Sequence, residues 1–349
     1  MKKKDIISLI RYYSEKNDEG FRNQAYQIAR DFDQEGDSQL AEYIMSLLSD
    51  ANVFVPQDEG ESAFLERLSI QGDSLYLPES ITQDLMGIVH AVRRHMGIHK
   101  FLFEGTPGTG KTEAAKQLGR LTGRELYMVN SAALVDSRLG RTSKNISDLL
   151  DELNHLNHPE KVIVLFDELD SIALDRTNPN DIREMGRVTT AFLNLLDRLN
   201  PSILVIATTN LYAYVDKAII RRFDAVVDFD RYSKDDLVTV SENILVQYLM
   251  QFRKVNRNMR LFRKILDNVP RLPMPGDMRN IIRTSLAFSD PDDGNDYFRR
   301  LYVSLNGNRI PDISELQHQG YTVREIEILT KIPKSSVDRW LKEAKPAHA

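Results

Sequence analysis

Apolar positions recur at helical spacing near both ends of the chain and gather into short unbroken runs in its middle. Residues 4–50 show this spacing in three segments, which predicts a small helical bundle over residues 1–52. Between residues 79 and 230, helical patterns alternate with apolar runs, as is typical of a parallel α/β sheet. The five runs read KFLFEG, ELYMVN, VIVLFDE, ILVIATTN and AVVDF.

The other segments complete the predicted organisation. Residues 53–78 mix turn-forming and apolar residues and are predicted to be a linker. Residues 231–308 return to helical spacing, with a break at RLPMPGD, and residues 309–349 contain short helices around a turn. We therefore predict an α/β domain followed by two helical regions.

Composition and charge limit the partners and the cellular location that we expect for the protein. The formal net charge is −5, so the whole chain offers no basic field for DNA or membranes, and any nucleic-acid contact must be local. The 349 residues include no cysteine, which excludes disulfides and thiolate zinc sites and fits a cytoplasmic location. The basic start lacks the long apolar run of a signal peptide, and no run could span a bilayer, so we expect no membrane partner.

A glycine-rich motif follows the first strand-like run of the α/β domain. FLFEGTPGTGKTEAAK fits G-x-x-x-x-G-K-[ST], between a strand and a helix, the context that this phosphate-binding motif requires. Its backbone N–H groups, the Lys111 charge and the Thr112 hydroxyl predict binding of ATP and Mg²⁺. The predicted loop consists of Gly105, Thr106, Pro107, Gly108, Thr109, Gly110, Lys111 and Thr112.

Polar residues end the next two buried runs. In KVIVLFDELDSIA, Asp167 is predicted to hold the Mg²⁺ shell and Glu168 to act as general base on the attacking water. In ILVIATTN, Asn210 can orient a water or contact the γ-phosphate. The alternatives are a solvated strand end for the acidic pair and a turn-capping amide for Asn210.

Two adjacent arginines occur in VDKAIIRRFDAVVDF. The guanidinium groups of Arg221 and Arg222 suit the charge that develops on a transferred phosphoryl group, and would act as an arginine finger if a neighbouring subunit supplied them. The alternative is a surface ion pair with Asp216 or Asp224.

Together the motifs GTPGTGKT, LFDELDSIALDR, ATTN and AIIRRFD resemble the AAA family of ring ATPases, in the pattern of the katanin and ESCRT-disassembling group. The resemblance covers roughly residues 79–290. It implies a P-loop α/β ATPase domain with a helical lid, assembled into a homo-oligomeric ring, commonly a hexamer, with ATP at the interfaces. It makes Arg222 the finger, with Arg221 beside it. Arg279, in PMPGDMRNII, resembles the second sensor, although many relatives of the severing group lack an arginine there.

The resemblance also places SAALVDSRLGRTSKNI where family members carry a pore-lining loop. Leu139 and Gly140 match the family pattern, but Arg138 stands at the aromatic position and Arg141 replaces an acidic residue. A ring of arginines suits a phosphate backbone or an acidic peptide segment better than general peptide threading. The alternative is a pore that grips nothing.

The tail QGYTVREIEILTKIPKSSVDRWLKEAK looks like a helix-turn-helix. Its second helix is predicted to be capped by Ser335 or Ser336, and Glu327 departs from the small residue that the motif prefers. The predicted DNA contacts are Lys334, Arg339 and Lys342. A small core of its own is predicted from Ile326, Leu329, Ile332, Val337 and Leu341. The alternative is a helical hairpin that packs on the ATPase or binds a protein.

Three functions remain open from the sequence: a protein-remodelling ATPase, a DNA-associated ATPase anchored by its tail, and a regulatory switch. The N-terminal bundle is the predicted site for a protein partner. Its sequence resembles the leader of small bacterial ATPases encoded beside a separate effector, so we expect a bacterial or mobile-element system. A metabolic P-loop kinase is disfavoured because it has no use for the paired arginines or the lid.

Overall fold

The computed structural model describes residues 7–8, 11–12, 14, 18–34, 62–71, 76–94, 96–135, 141–170, 182–252, 254–307, 309 and 312–343. The chain divides into two compact units, residues 1–62 and residues 63–349.

In the first unit, one helix is described in full. Helix α1 spans Asp18–Gln34 and buries Ala25, Ile28 and Ala29, which recur at helical spacing. The helix that the sequence predicts at FRNQAYQIARDF is therefore present. Most of the other two predicted segments lies outside the described residues, so the three-helix bundle stays a prediction.

The second unit is built on a six-stranded sheet in the order β1-β3-β4-β5-β2-β6. Strands β2 to β6 run parallel to one another, and β1 pairs antiparallel with β3. The strands are β1 (Leu65–Leu68), β2 (Lys100–Glu104), β3 (Glu125–Val129), β4 (Val162–Phe166), β5 (Leu204–Thr209) and β6 (Ala225–Asp228). The five predicted runs correspond to β2 to β6, so the predicted α/β class with a parallel sheet is confirmed, and β1 adds one antiparallel strand at the edge.

Strand β1 lies in the stretch that the sequence predicts to be a linker. Its Leu65 pairs with Val129, and the Arg67 and Glu125 side chains meet at 2.7 Å. The four residues LERL are too few to show an alternating pattern, so this strand is defined by its pairing rather than by its periodicity.

Two apolar cores lie on the two faces of the sheet. Along the fully buried β4, Val162, Val164 and Phe166 enter one core and Ile163 and Leu165 enter the other, because successive side chains of a strand alternate. The first face is covered mainly by α5 (Arg141–Asn154) and α6 (Ile182–Arg198), and the second by α2 (Glu79–Arg93) and α3 (Lys111–Thr122). Two short helices, α4 (Ser131–Leu134) and α7 (Lys217–Ile220), complete this domain.

Seven helices follow the sheet in the described part of the chain. They are α8 (Lys234–Leu249), α9 (Met259–Asp267), α10 (Pro275–Ala287), α11 (Asp296–Leu305), α12 (Ile313–His318), α13 (Val323–Thr330) and α14 (Lys334–Glu343). We call α8 to α11 the lid and α12 to α14 the tail. Among the described helices, none has the length and apolarity needed to cross a bilayer.

The tail shares one continuous core with the lid. Ile326, Leu329 and Val337 are fully buried in the same cluster as Leu245 and Phe262 of the lid. The predicted separate core of the tail is therefore wrong, because α13 packs on α11 as well as on α14.

The start of α14 also differs from the prediction. The helix begins at Lys334, and Ser335 and Ser336 lie inside its first turn rather than at its cap. The Lys334 N–H donates instead to the Glu327 carboxylate, at 2.9 Å. Glu327, which departs from the helix-turn-helix pattern, thus satisfies one of the open N–H groups at the start of α14.

Candidate active site

The glycine-rich loop joins the end of β2 to the start of α3. Its Gly108 and Gly110 have φ angles of 81° and 95°, a region that residues with a Cβ avoid. Because Gly110 directly precedes α3, the unpaired N–H groups of the helix start face the loop. Such a start, with its positive helix dipole, favours a bound phosphate.

Lys111 is the buried cation of this loop, with 7% of its surface exposed. Its Nζ donates to the Gly105 carbonyl at 2.7 Å, the Thr106 carbonyl at 2.9 Å and the Asn210 Oδ1 at 2.8 Å. Burial lowers the pKa of Lys111, while the nearby carboxylates, Asp230 first, act in the opposite direction. The structure therefore brings two predicted site residues, Lys111 and Asn210, into direct contact.

Asp167 follows β4 and faces the loop. The Thr112 hydroxyl lies 3.1 Å from both carboxylate oxygens of Asp167, and the Thr208 hydroxyl donates to Oδ1 at 2.6 Å. In the described part of the chain, no group of three or more acidic, histidine or cysteine side chains could hold a metal unaided. The set fits Mg²⁺, which proteins hold through one or two oxygen ligands together with substrate phosphates and waters.

Glu168 is exposed at the end of β4, beside Asp167. Its backbone has φ 51°, which is unusual for a residue with a side chain. The surrounding strands hold this conformation: the Glu168 N–H donates to Thr208 Oγ1 at 2.9 Å, and the Leu169 N–H donates to the Thr208 carbonyl at 2.8 Å. The turn projects a carboxylate into solvent next to the phosphate loop.

Three polar residues that the sequence analysis did not assign organise this edge of the sheet. Asp170 is buried and accepts hydrogen bonds from the Thr209 hydroxyl at 2.5 Å and from the Asn210 N–H at 3.2 Å. Thr208 and Thr209 are themselves almost fully buried. The available signal was the placement of polar residues at the end of an otherwise apolar run, in DELD and ATTN.

The lid touches the phosphate loop through backbone atoms. The Gly276 N–H, in the first turn of α10, donates to the Gly108 carbonyl at 2.8 Å, and a Cβ added to Gly276 would lie 2.9 Å from the Gly108 Cα. The Tyr232 hydroxyl donates to the Thr109 carbonyl at 2.9 Å, and burial raises the pKa of this phenol. The first contact joins the start of α10 to the loop, and the second joins the residues just before α8 to the loop.

Asp230 fixes the beginning of the loop. Its Oδ1 accepts hydrogen bonds from the Thr106 N–H at 2.8 Å and the Thr106 hydroxyl at 2.7 Å. Burial, followed by the charges of Asp228 and Asp230, raises the pKa of Glu104 at the end of β2. Neither Asp230 nor Tyr232 was assigned from the sequence.

The paired arginines precede β6. Arg222 forms an ion pair with Asp197, with Nε 2.9 Å from Oδ1. The alternative partners expected from the sequence, Asp216 and Asp224, bond to backbone N–H groups instead. Arg221 is exposed.

Of Arg279 and the predicted pore-loop residues 138–140, the structure describes Arg279 alone. Arg279 is exposed on α10, three residues after the glycine that touches the loop. Arg138, Leu139 and Gly140 lie outside the described residues. Their flanking helices are tied together by the Asn145 side chain, which donates to two carbonyls of α4 at 3.1 Å.

The predicted DNA-contacting residues Lys334, Arg339 and Lys342 are exposed on α14. Lys342 lies 3.6 Å from the carboxylate of Asp338, one turn earlier. The structure thus leaves these cations on the surface and brings none of them to the phosphate loop.

Comparison with known proteins defines the class of this site. Residues 101–231 match the family model described as "ATPase family associated with various cellular activities (AAA)". These residues include the glycine-rich loop, both strand ends and the paired arginines. Over these residues the chain is similar to the AAA ATPase family, in agreement with the resemblance of the sequence motifs.

Individual proteins resemble the chain over part of their length. It is 32% identical over 187 residues to the "Uncharacterized AAA family ATPase y4kL" of Sinorhizobium fredii, covering 51% of this chain and 56% of that protein. It is 29% identical to the "CD-NTase-associated protein 6" of Pseudomonas aeruginosa, covering 47% of this chain and 61% of that protein. The matched region thus spans less than two thirds of each relative.

A solved structure shares the fold. The FIGL-1 AAA domain in complex with ADP matches with a TM-score of 0.51 and 19% identity, over 82% of this chain and 94% of that one. At this level of identity the match bears on the fold, and it agrees with the α/β architecture described above.

Proposed function

We propose that the protein is a Mg²⁺-dependent ATPase that works as a homo-oligomeric ring, commonly of six subunits, and remodels or regulates a bound macromolecular partner. One observation carries the ATPase proposal. At the carboxyl edge of the sheet, Lys111 bonds to Asn210 and Thr112 bonds to Asp167, with Glu168 exposed beside them.

Each residue has a role that follows from its position. The loop N–H groups and Lys111 bind the β- and γ-phosphates, and Asn210, already in contact with Lys111, orients the attacking water. Glu168 accepts the proton of that water. Thr112 and Asp167 would hold Mg²⁺, which neutralises phosphate charge when it is bound.

The location of Arg222 supports assembly of the site from two subunits. Asp224, two residues later, bonds to the N–H groups of His99 and Lys100, at the start of β2. The phosphate loop begins at the other end of β2, five residues or roughly 16 Å away along the strand. Arg222 therefore lies too far from the loop of its own chain to stabilise the transferred phosphate.

The ion pair of Arg222 does not prevent a role in a neighbouring site. The Arg222 and Asp197 side chains are 38% and 45% exposed. Exposed pairs of this kind contribute only about 0–1 kcal/mol, so their separation costs little. An incoming phosphate charge can therefore compete with Asp197 for the guanidinium.

The assignment of the base is tested with Glu168→Gln, which keeps the shape of the side chain and removes the proton acceptor. We expect ATP binding near the wild-type level and kcat reduced about 10²–10⁴-fold, measured as phosphate release. Glu160→Gln is the matched control, because Glu160 is exposed in the short 3₁₀ helix before β4, at the opposite end of that strand from Glu168. Wild-type turnover in Glu168→Gln would contradict the assignment.

Action in trans is tested by mixing two inactive variants. Arg222→Ala removes the finger and Lys111→Ala removes the phosphate-binding cation. A mixed ring contains interfaces with an intact loop from one subunit and an intact Arg222 from the other, so mixing should restore part of the activity. No recovery, with mixed assembly shown by pulldown of one tagged variant, would contradict a shared site.

The partner proposal has its support in the sequence likeness to CD-NTase-associated protein 6 and in the predicted N-terminal bundle. We propose a bacterial or mobile-element system with a separate effector, bound through this bundle. The Glu168→Gln protein should retain its partner in the presence of ATP. Tagged protein would be recovered from its native host with and without ATP, and bound protein and DNA identified.

A second candidate function is a DNA-associated ATPase anchored by α14. The observation that favours it is the exposure of Lys334, Arg339 and Lys342 on one helix. Each lost phosphate contact should reduce the dependence of duplex binding on log salt by about one. The triple alanine variant would be compared with Asp338→Ala in mobility-shift assays at two salt concentrations. Equal binding by wild type and triple variant would exclude this surface.

A further inference from the structure

We propose that Thr208 is a positioning residue for hydrolysis, whose single hydroxyl orients both acidic residues of the site. The proposal rests on the ATPase function proposed above. Thr208 ends the buried strand β5 and does not itself face solvent, with 1% of its surface exposed. Its role is therefore exerted through its neighbours.

The contacts of Thr208 all lead to the turn that follows β4. The Oγ1 hydroxyl donates to Asp167 Oδ1 at 2.6 Å and accepts the Glu168 N–H at 2.9 Å. The Thr208 carbonyl accepts the Leu169 N–H at 2.8 Å. One residue thus holds a carboxylate, the base and the residue after it.

The first contact fixes the Asp167 carboxylate. Its Oδ1 lies between the hydroxyls of Thr208 and Thr112, at 2.6 Å and 3.1 Å. Because a buried hydroxyl donates to one of its oxygens, the Asp167 carboxylate keeps one orientation, in which it faces Thr112. Hydrogen bonds of this kind to metal-holding carboxylates typically change metal affinity or activity by about 10–100-fold.

The second contact fixes the backbone of Glu168. A φ of 51° is sparsely populated for glutamate and persists only when its surroundings enforce it. The Thr208 hydroxyl is the partner of the Glu168 N–H, so its removal leaves that donor unpaired at the strained residue. Relaxation of this turn would move the Glu168 carboxylate away from the water that it activates. A shift of about 1 Å can lower the rate about 10²-fold.

Thr208→Val tests the proposal because valine keeps the branched shape and removes only the hydroxyl. We expect kcat to fall about 10–100-fold with KM for ATP changed less than about threefold. Thr208→Ser restores the hydroxyl and should recover most of kcat. Thr122→Val, which removes a 2.6 Å hydroxyl bond to the Leu118 carbonyl at the far end of α3, controls for general loss of a partly buried hydrogen bond.

A binding measurement separates this proposal from the ATPase proposal. Affinity for a fluorescent ADP analogue would be measured with Mg²⁺ and with EDTA. In Thr208→Val the gain in affinity from Mg²⁺ should be about tenfold smaller than in wild type and in Thr208→Ser. This result does not require turnover, so it holds even if the wild-type protein fails to hydrolyse ATP.

Three results would overturn the role of Thr208. They are unchanged kcat in Thr208→Val, an unchanged Mg²⁺-dependent gain, or a loss of kcat that Thr208→Ser does not recover. Melting temperatures of all variants would be compared first. If Thr208→Val does not fold, Thr208→Ala takes its place in the same measurements with the same expected values.

Discussion

Buried and half-buried charges serve different purposes at the carboxyl edge of the sheet and in the junction of lid and tail. At the sheet edge, Lys111, Asp167 and Asp170 bond to the phosphate loop, to the start of α3 and to the end of β5, beside the exposed Glu168. Their arrangement leaves the Glu168 carboxylate exposed beside them. The edge is organised for a ligand.

In the junction, the charges bond to one another. Asp296 is 2% exposed and receives Lys331 Nζ at 2.7 Å and Arg300 Nε at 2.8 Å. Lys264 of the lid meets Glu325 of the tail at 2.7 Å. Lys331 is the turn residue between α13 and α14, with φ 61°. The turn that suggests a helix-turn-helix is thus used to attach the tail to the lid.

The comparison shows when a motif predicts chemistry well. It does so when its residues bond to backbone groups that belong to the motif itself. The glycine-rich loop is held in part by its own residues, since Lys111 Nζ donates to the carbonyls of Gly105 and Thr106. The sequence pattern of the tail predicts two helices and a turn, but the residues that this segment contacts lie in distant parts of the lid. Three experiments test this difference, beginning with the contact that joins the lid to the sheet edge.

Gly276→Ala should weaken ATP binding about 10–100-fold, which corresponds to roughly 1.4–2.8 kcal/mol. A Cβ at Gly276 would lie 2.9 Å from the Gly108 Cα, so the lid helix or the phosphate loop must move. Overpacking of this kind costs about 1–3 kcal/mol. Affinity would be measured with a fluorescent ATP analogue. The expected loss of affinity would show that the lid helps to form the nucleotide site.

Gly87→Ala is the matched control for that substitution. Gly87 lies in α2 with no atom within 4 Å of an added Cβ, so alanine should raise the free energy of unfolding by about 0.5–1 kcal/mol and leave affinity unchanged. If Gly276→Ala binds ATP as tightly as this control, the lid contact plays no part in nucleotide binding.

Asp296→Asn should lower the free energy of unfolding by about 1–3 kcal/mol, because hydrogen bonds to charged groups contribute about that much. The amide keeps the volume but loses the charge that Lys331 and Arg300 face. ATPase activity should stay near wild type if the junction serves only to attach the tail. Urea unfolding and phosphate release would be measured on the same protein.

Asp293→Asn is the control that removes an exposed negative charge near Lys331 instead of a buried one. Asp293 lies 3.7 Å from the same Lys331 but is 40% exposed, so its loss should cost well under half as much. Equal destabilisation by the two variants would mean that burial of Asp296 is not what gives the ion pair its effect.

Much of the sheet edge could be predicted from the sequence because strand ends and loop meet at one edge of a parallel sheet. Lys111, Thr112, Asp167, Glu168 and Asn210 all lie there. Thr208 and Asp170 could not be assigned in the same way. Their roles depend on the register of β4 against β5, which a single sequence does not reveal.

The tail could be predicted only as helices and a turn. Its helix bounds follow from local capping, such as Thr322 at the start of α13. The burial of Asp296 and its ion pair with Lys331 could not be predicted, because tertiary packing brings together two residues that are 35 positions apart in the chain. The predicted domain boundaries, pore loop and DNA contacts stay predictions.

The stability that Asp296 provides should depend on pH in a direction that its pKa fixes. Burial alone would raise the pKa of this carboxyl, but hydrogen bonds from Lys331 and Arg300 outweigh burial and lower the pKa from 3.8 to about 2. A carboxyl whose pKa is lower in the folded state stabilises the protein above its unfolded pKa, and loses that effect as pH falls through the folded pKa. The difference in free energy of unfolding between wild type and Asp296→Asn should therefore be constant near neutral pH. It should shrink as the pH falls from about 4 to about 2, in urea titrations at matched ionic strength. A difference that stays constant through this range would show that packing, rather than the charge of Asp296, attaches the tail to the lid.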